Sequence, residues 1–448
     1  MPFDRFRALS SALALLGGML PLAAPAAQAA GDYGCDSRTI KAAPVRLASV
    51  PVNRFLDSLG VNIHIDQGYD PDSYIEPLHY LGVRQVRDGN RNVNNMLHLA
   101  RETGVRFSLI STGNIPHVMG VARMLAKADA LLAVEGPNEP NNFPIEYKWR
   151  KGGGSHGWVV VAELQRDLYA QVKSDRVLGK YPVFGPSETG AQTENAGLQF
   201  LKIPKGADTL LPEGTVFSDY ANVHNYVGGV DNHYGDNQAW NAADPTLWGE
   251  GNGLVANHGR TWHRRFPGYS DDQLPSLPRV STETGFPAGA DAREQHRQGA
   301  VLVNTYLAQF HRGWTYTFLY QLRDNEGGKS LQGLYTGNRL KLAAHYIHNL
   351  TAILADDPKA ADPKPGTVQF ATDSPAVHAL AFAKSTGKRA VVVWGERVSG
   401  SDPARVDFGS PVSVKIFDIT RGKEPIDTLG SVRSVCLDLS DHAMVLEY

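Results

Sequence analysis

Two glutamates stand in settings suited to acid–base chemistry. Glu139 lies in Val134-Glu135-Gly136-Pro137-Asn138-Glu139-Pro140-Asn141, and Glu283 lies in Val280-Ser281-Thr282-Glu283-Thr284-Gly285-Phe286-Pro287. Each segment leaves a β-branched or apolar run and stops in Gly and Pro, so each reads as a carboxylate at the C-terminal end of a buried strand. Hydrolysing an acetal requires a proton for the leaving oxygen and negative charge beneath the positive anomeric carbon. One carboxylic acid and one carboxylate supply both. Two such groups held close settle into different protonation states, because each disfavours the other's charge and burial disfavours charge on either. The pair therefore points to cleavage of glycosidic bonds.

Carboxylates far apart in sequence need a scaffold that gathers strand ends on one face. Between residues 60 and 354 short β-rich runs alternate with amphipathic helical stretches. Eight runs read as strands: 61–65, 83–87, 106–110, 131–135, 182–186, 220–224, 279–283 and 315–321. Helical periodicity lies between them, for instance over 93–102, 118–128, 159–173 and 294–310. This alternation predicts a closed (β/α)8 TIM barrel, whose chemistry sits at the C-terminal strand ends. An open doubly wound sheet would favour a Gly-rich nucleotide loop after the first strand, and none is present. Past residue 355 a Pro/Asp/Lys-rich linker over 356–365 precedes short alternating segments at 368–371, 377–383, 389–394, 412–417 and 443–447. They predict a small C-terminal antiparallel β-sandwich domain over 356–448, with the barrel occupying 30–355.

The first 29 residues read as a signal peptide: Arg5 and Arg7, an apolar stretch over 12–26, and small residues at Ala27 and Ala29 before a cut. A membrane anchor is the alternative, though the stretch is short and interrupted by Gly and Pro. No other run is apolar for long enough to span a bilayer. A secreted or periplasmic protein is expected. A formal charge of −2 and the absence of basic tracts argue against a nucleic-acid partner. The two cysteines, Cys35 and Cys436, offer neither a CxxC motif nor a Cys/His cluster. In an exported chain they suggest a disulfide that would pack segment 30–55 onto the C-terminal domain, with two buried free thiols as the alternative. No cofactor and no metal are expected. Asp231, Asn232, His233, Asp236 and Asn237 offer oxygens for calcium, but without an EF-hand pattern.

Two long connections, 136–157 and 225–278, follow the fourth and sixth strands and should rise over the catalytic face. They carry Tyr147, Trp149, Tyr226, Tyr234, Trp240, Trp248 and Trp262 among many Asn and Asp residues. Sugar rings stack on aromatic planes while their hydroxyls bond to amides and carboxylates, so Trp149 and Trp240 are expected to bind a carbohydrate substrate, with ordinary loop packing as the alternative.

Asn138-Glu139-Pro140 ending a fourth strand, with Glu283 ending the seventh, resembles glycoside hydrolase clan A, the retaining "4/7" barrels. The resemblance spans roughly residues 60 to 350. It implies Glu139 as acid/base, Glu283 as nucleophile and Asn138 as a ligand of the sugar 2-hydroxyl. Arg87, in Val86-Arg87-Asp88, resembles the clan arginine that keeps the nucleophile ionised; a salt bridge at the barrel mouth is the competing role. His224 and Tyr226 match the clan's sixth-strand His-x-Tyr pattern, whose aromatic hydroxyl donates toward the nucleophile; a satisfied core histidine is the competing reading of His224. Two departures stand out. Gly136-Pro137 replaces the aromatic residue many members carry before Asn-Glu-Pro. The eighth strand lacks the usual Trp, which leaves Tyr320 as its substitute under the cleaved sugar. A barrel with a terminal β domain is most similar to family 39 and family 39-like exported enzymes. Glu135 reads as a subsite or buried structural acid, Asp88 and Asn90 as sugar contacts or turn residues, and Glu188 as a substrate contact. The expected function is an exported retaining β-glycoside hydrolase working by double displacement; a transglycosylase and a non-catalytic carbohydrate-binding barrel are the alternatives.

Overall fold

The computed structural model describes residues 33–35, 40–187, 197–198, 200–228, 235–246, 272–325 and 331–448. Its central element is a sheet of eight parallel strands: Leu59–Asn62, Gln85–Asp88, Arg106–Ser111, Leu131–Pro137, Val183–Phe184, Ala221–His224, Arg279–Thr284 and Tyr316–Leu319. They are called the first to eighth strands below. The eighth pairs with the first, and a parallel bridge between Phe184 and Tyr220 joins the fifth to the sixth, so the sheet closes into a barrel. Seven of the eight connections carry a helix among the described residues; the fifth strand is followed by irregular chain where it is described. All eight expected strands are present, displaced by a few residues at their ends.

Side chains alternate across each strand, and the residues turned inward form two unlike layers. The lower layer is apolar: Ala133, Phe184, Val280 and Phe318 pack together. Gly60 completes it, since a Cβ there would stand 2.4 Å from the Phe318 ring. One step toward the C-terminal mouth the inward residues become Asn62, Arg87, Ser108, Glu135, Asn222 and Thr282, all buried. Buried polar groups persist only when hydrogen-bonded, and these bond to one another across the barrel. The catalytic face thus rests on a polar floor above an apolar plug.

The C-terminal region forms a second sheet, ordered Val45–Ala48, Thr367–Thr372, Asp402–Asp418, Ala443–Glu447, Arg389–Gly395, Val377–Ala383, Val50–Pro51, with Asp427–Leu439 also paired to Asp402–Asp418. All pairings are antiparallel except the short one of Val50–Pro51. Its two faces follow from strand alternation: Val391 and Val393 enter the core of this domain, whereas Val392 and Trp394 join the core shared with the barrel helices. The segment before the barrel contributes two strands to this sheet, and Cys35 is bonded to Cys436 with Cα atoms 5.2 Å apart. The strand over Asp402–Asp418 runs through Gly409-Ser410-Pro411, which reads as a turn; a register shift between Asp407 and Val412 absorbs it.

His442 ties this sheet to the barrel. Its Nδ1 lies 3.0 Å from Asp441 Oδ1 and its Nε2 3.4 Å from Asp418 Oδ1, while Asp441 Oδ2 meets Nε2 of His296, on the barrel helix Ala292–His311, at 2.9 Å. Burial opposes charge on the ring, but the two carboxylates prevail and push His442 up to about 9. A folded value above the unfolded one gives stability that is whole below about pH 6.5 and lost as pH rises through about 9, worth roughly 3 kcal/mol. Denaturant midpoints are expected to fall across that window in the wild type and to lose most of that slope in His442→Gln.

Candidate active site

The seventh strand ends in Thr282-Glu283-Thr284, and alternation turns Thr282 into the barrel while Glu283 leans over its mouth. The fourth strand ends at Pro137, after which Asn138 bridges to Ser187 and Glu139 takes a left-handed backbone with φ 37°. That conformation is costly for a side chain with a Cβ, and more so before a proline. The carbonyl of Glu139 offsets some of the cost by accepting the amides of Asn142 and Phe143. Strain of this kind is kept where it places a functional group. Here it aims the Glu139 carboxyl back across the mouth.

Carboxylate oxygens of Glu139 and Glu283 and a ring nitrogen of His224 lie within 4.8 Å of one another. Glu283 is held from both sides: Oε1 accepts from Arg87 Nη1 at 2.6 Å and Oε2 from the Tyr226 hydroxyl at 2.7 Å. Burial, and then the charge of Glu283, push the Tyr226 phenol well above its ordinary range, so it stays a donor. All five N–H groups of Arg87 are in use: toward Glu135 through Nε and Nη2, toward Asn62 and Glu283 through Nη1, and toward Asn138 Oδ1 through Nη2. Burial works against its charge, yet the carboxylates of Glu135 and Glu283 more than offset that and drive its pKa upward. Because Asn138 accepts from Arg87, its amide NH2 is turned to the cavity as a donor.

Glu139 has different neighbours. Oε2 accepts from Asn142 Nδ2 at 2.8 Å, and Oε1 faces His224 Nδ1 at 2.7 Å. The other ring nitrogen, Nε2, lies 3.1 Å from Thr282 Oγ1. That hydroxyl has only acceptors beside it, Glu135 Oε1 and Asn222 Oδ1, so its proton goes to one of them and its lone pair takes the His224 Nε2–H. The short contact of Nδ1 to Glu139 Oε1 requires one proton between them. That proton is shared between His224 and Glu139, while Glu283 faces the donors of Arg87 and Tyr226. Replacing His224 by Asn removes this relay; we expect kcat/KM to fall about 10²-fold or more, with the shape of its pH profile altered. A loss without any change of profile would reduce His224 to packing.

The cavity above the pair has a volume of about 880 Å³. Tyr226, Tyr320, Asn138, Arg87 and both glutamates line it, and His224 lies directly behind. Burial, then the charge of Glu283, push Tyr320 up to about 12. Asp88 and Asn90 also line it. Glu135 does not: it is fully buried and braces Arg87 with help from Ser108, Asn222 and Thr282.

Two expected sugar contacts lie elsewhere. Trp149 sits with Lys148 in a tight hairpin turn between Ile145–Tyr147 and Arg150–Gly152, 95% exposed and outside the cavity lining. Trp240 stacks on His378 at 3.8 Å, under Arg312, in the seam with the C-terminal domain. Tyr147 is buried and bonds Asp167, and Trp158 is core. Asp236 and Asn237 bind Arg397, Val398, Pro375 and His378. Glu188, Asp231, Asn232, His233, Tyr234, Trp248 and Trp262 lie outside the described residues. Unanticipated lining residues include His64, Asp66, Asn114, His117 and Phe143. Burial pulls His64 below its ordinary range, so a neutral ring stands near Glu283 and packs edge-on against Tyr320.

Solved structures with the same architecture include a family 39 glycoside hydrolase from the gut symbiont Bacteroides cellulosilyticus WH2, with TM-score 0.53, 14% identity, and 88% of this chain and 82% of that one covered. A GH30 endoxylanase from Clostridium papyrosolvens C71 gives TM-score 0.53 at 12% identity over 89% and 98% of the two chains. A bifunctional glucanase-xylanase from a metagenome library gives 0.52 at 12% over 91% and 99%. The fold is that of clan A glycoside hydrolases. No family model matches the sequence, and no curated protein does.

Proposed function

We propose that the protein is a retaining β-glycoside hydrolase acting on an oligo- or polysaccharide. The observation that carries this reading is that a carboxylate oxygen of Glu139 and one of Glu283 lie within 4.8 Å of each other across the barrel mouth. Configuration-preserving enzymes hold their carboxyl groups about 5–5.5 Å apart, whereas inverting ones leave about 6.5–9.5 Å for a water. Glu283, ionised between Arg87 and Tyr226, attacks the anomeric carbon. Glu139 gives its proton to the leaving oxygen, and the Asn138 amide donates to a neighbouring sugar hydroxyl. Glu139, now a carboxylate, takes a proton from water as that water attacks the glycosyl ester of Glu283; the sugar leaves with its original configuration and both groups return to their starting states.

Export is part of the proposal. A disulfide between Cys35 and Cys436 suits an oxidising compartment, and among the described residues no helix is long and apolar enough to cross a membrane.

The test follows a cleaved β-linked glycan by proton NMR. The first-formed product should carry the β-anomeric signal, and a 2-fluoro glycoside should leave its mass on the peptide containing Glu283. An α-anomer at first appearance, or a label elsewhere, would overturn the mechanism. Glu139→Gln should lose activity on natural glycans by about 10³-fold, while glycosides with a dinitrophenolate leaving group, which need no proton, form the glycosyl-enzyme at a rate much closer to wild type.

A further inference from the structure

The cavity extends well past the two glutamates. The strand order places the first, second and third strands between the eighth and the fourth, and the chain segments after those three strands wall an arm of the same cavity with His64, Asp66, Asn90, Asn114 and His117. A volume of about 880 Å³ is near the top of the range of about 300–1,000 Å³ that houses drug-sized ligands, more than one pyranose ring needs.

Two residues give the arm a recognisable chemistry. Phe143 is 60% exposed, lines the cavity, and is fixed at its lip because its amide donates to the Glu139 carbonyl at 2.7 Å. A large apolar ring held in water beside a polar cleft is a stacking surface for the C–H face of a sugar. Asp66 folds over Gly89, where a Cβ would stand 1.8 Å from its Oδ2, so only glycine leaves room for it. Its side chain is 16% exposed, with Arg91 Nη2 3.8 Å away. Asp88 lies beneath, hydrogen-bonded to Asp66, and takes the amides of Ile65 and Gly89 at 2.8 Å each. Burial, then the charge of Asp66, push Asp88 well above the carboxylate range, so Asp88 keeps its proton and donates it to Asp66. Setting two acids against each other in a cavity wall costs stability, and the outcome is an oriented carboxylate with acceptor sites left for hydroxyls.

We propose that this part of the cavity is a second sugar subsite, in which Phe143 stacks on a pyranose face and Asp66 accepts sugar hydroxyls. The ligand is an uncharged sugar with adjacent hydroxyl groups, linked to the sugar over Glu283, so the substrate is recognised across at least two units. This rests on the hydrolase reading but can fail separately from it.

The experiment measures binding by calorimetry in Glu283→Gln protein, which cannot turn over. The probes are methyl β-glycosides and β-linked trisaccharides of glucose, xylose, mannose and galactose. At least one trisaccharide should bind 10-fold or more tightly than its methyl glycoside, and Phe143→Ala and Asp66→Asn, each added to Glu283→Gln, should each cut that ratio by about 10-fold. Equal affinity for both lengths, binding of no probe, or a ratio unmoved by either substitution would overturn the subsite. Wild-type protein incubated with the bound trisaccharide separates the two readings: binding with the expected ratio but no cleavage refutes the hydrolase alone, and cleavage with a flat ratio refutes the subsite alone.

Discussion

Glu283→Gln is expected to lower kcat on a β-linked substrate by on the order of 10⁴- to 10⁶-fold, the scale seen when the nucleophile of a covalent mechanism is removed. At about 1.4 kcal/mol per factor of ten, that is about 6–8 kcal/mol of transition-state stabilisation. The amide keeps the shape of the carboxylate, and its oxygen can still accept from Arg87 Nη1, which now holds Oε1 at 2.6 Å. The change is therefore expected to leave the fold in place, and matching circular dichroism and thermal melts would show this. What the amide lacks is a lone pair basic enough to attack the anomeric carbon and charge to stabilise the oxocarbenium-like transition state. Residual activity within tenfold of wild type would sink the assignment, because no other carboxylate among the described residues stands within 4.8 Å of Glu139 and His224 together.

How much of this site could be read beforehand depended on where each residue sits in its strand. Glu139, Glu283, Arg87, His224 and Tyr226 all lie at the C-terminal ends of strands whose β-branched cores are plain in sequence, so their convergence followed once eight strands were counted. Glu135 is legible by alternation alone: two residues on from Ala133, it lies inside the barrel. His64 is hidden because Val61-Asn62-Ile63-His64-Ile65 alternates like a strand, whereas the first strand ends at Asn62 and the next residues turn into the cavity. The alternation runs three residues past the strand, and His64, which it takes in, belongs to the mouth. The tryptophans failed for another reason. Aromatic content shows that a loop carries large rings, but not which way they face. Trp240 faces the C-terminal domain because His378 and Arg312 there and on the barrel helix offer it stacking partners. Trp149 lies at φ 62° in a turn that Asn or Gly would occupy at less cost, and nothing in the structure explains it. The C-terminal strand Asp427–Leu439 was missed because Gly430, Ser431 and Arg433 dilute its apolar alternation, although pairing with Asp402–Asp418 fixes it as a strand.

Arg87→Met should be the most damaging substitution outside the two glutamates, and it should damage stability and catalysis for separable reasons. Arg87 is the cation between Glu135, which is fully buried, and Glu283. Without it the Glu135 carboxylate keeps only the neutral donors Ser108, Asn222 and Thr282. Removing one partner of a buried ion pair costs about 3–5 kcal/mol, because the other charge is left uncompensated. Catalysis suffers through Glu283, which loses the cation that favours its ionised form. Arg87→Lys separates these effects only in part: the charge survives, but three donors on a flexible stem cannot replace a planar fork that serves five contacts. Its kcat/KM should fall by about 10²–10³-fold, or roughly 3–4 kcal/mol, with a smaller loss in melting temperature. The decisive comparison is Arg87→Met combined with Glu135→Leu. Exchanging a whole buried pair for apolar groups of similar size is often neutral or stabilising, so the double variant should recover most of the denaturant midpoint lost by Arg87→Met. Activity should not return, since Glu283 still lacks its cation and Asn138 its donor. Recovery of both would mean that Arg87 serves the fold alone; an Arg87→Met protein as stable as wild type would mean that Glu135 is not charged when buried.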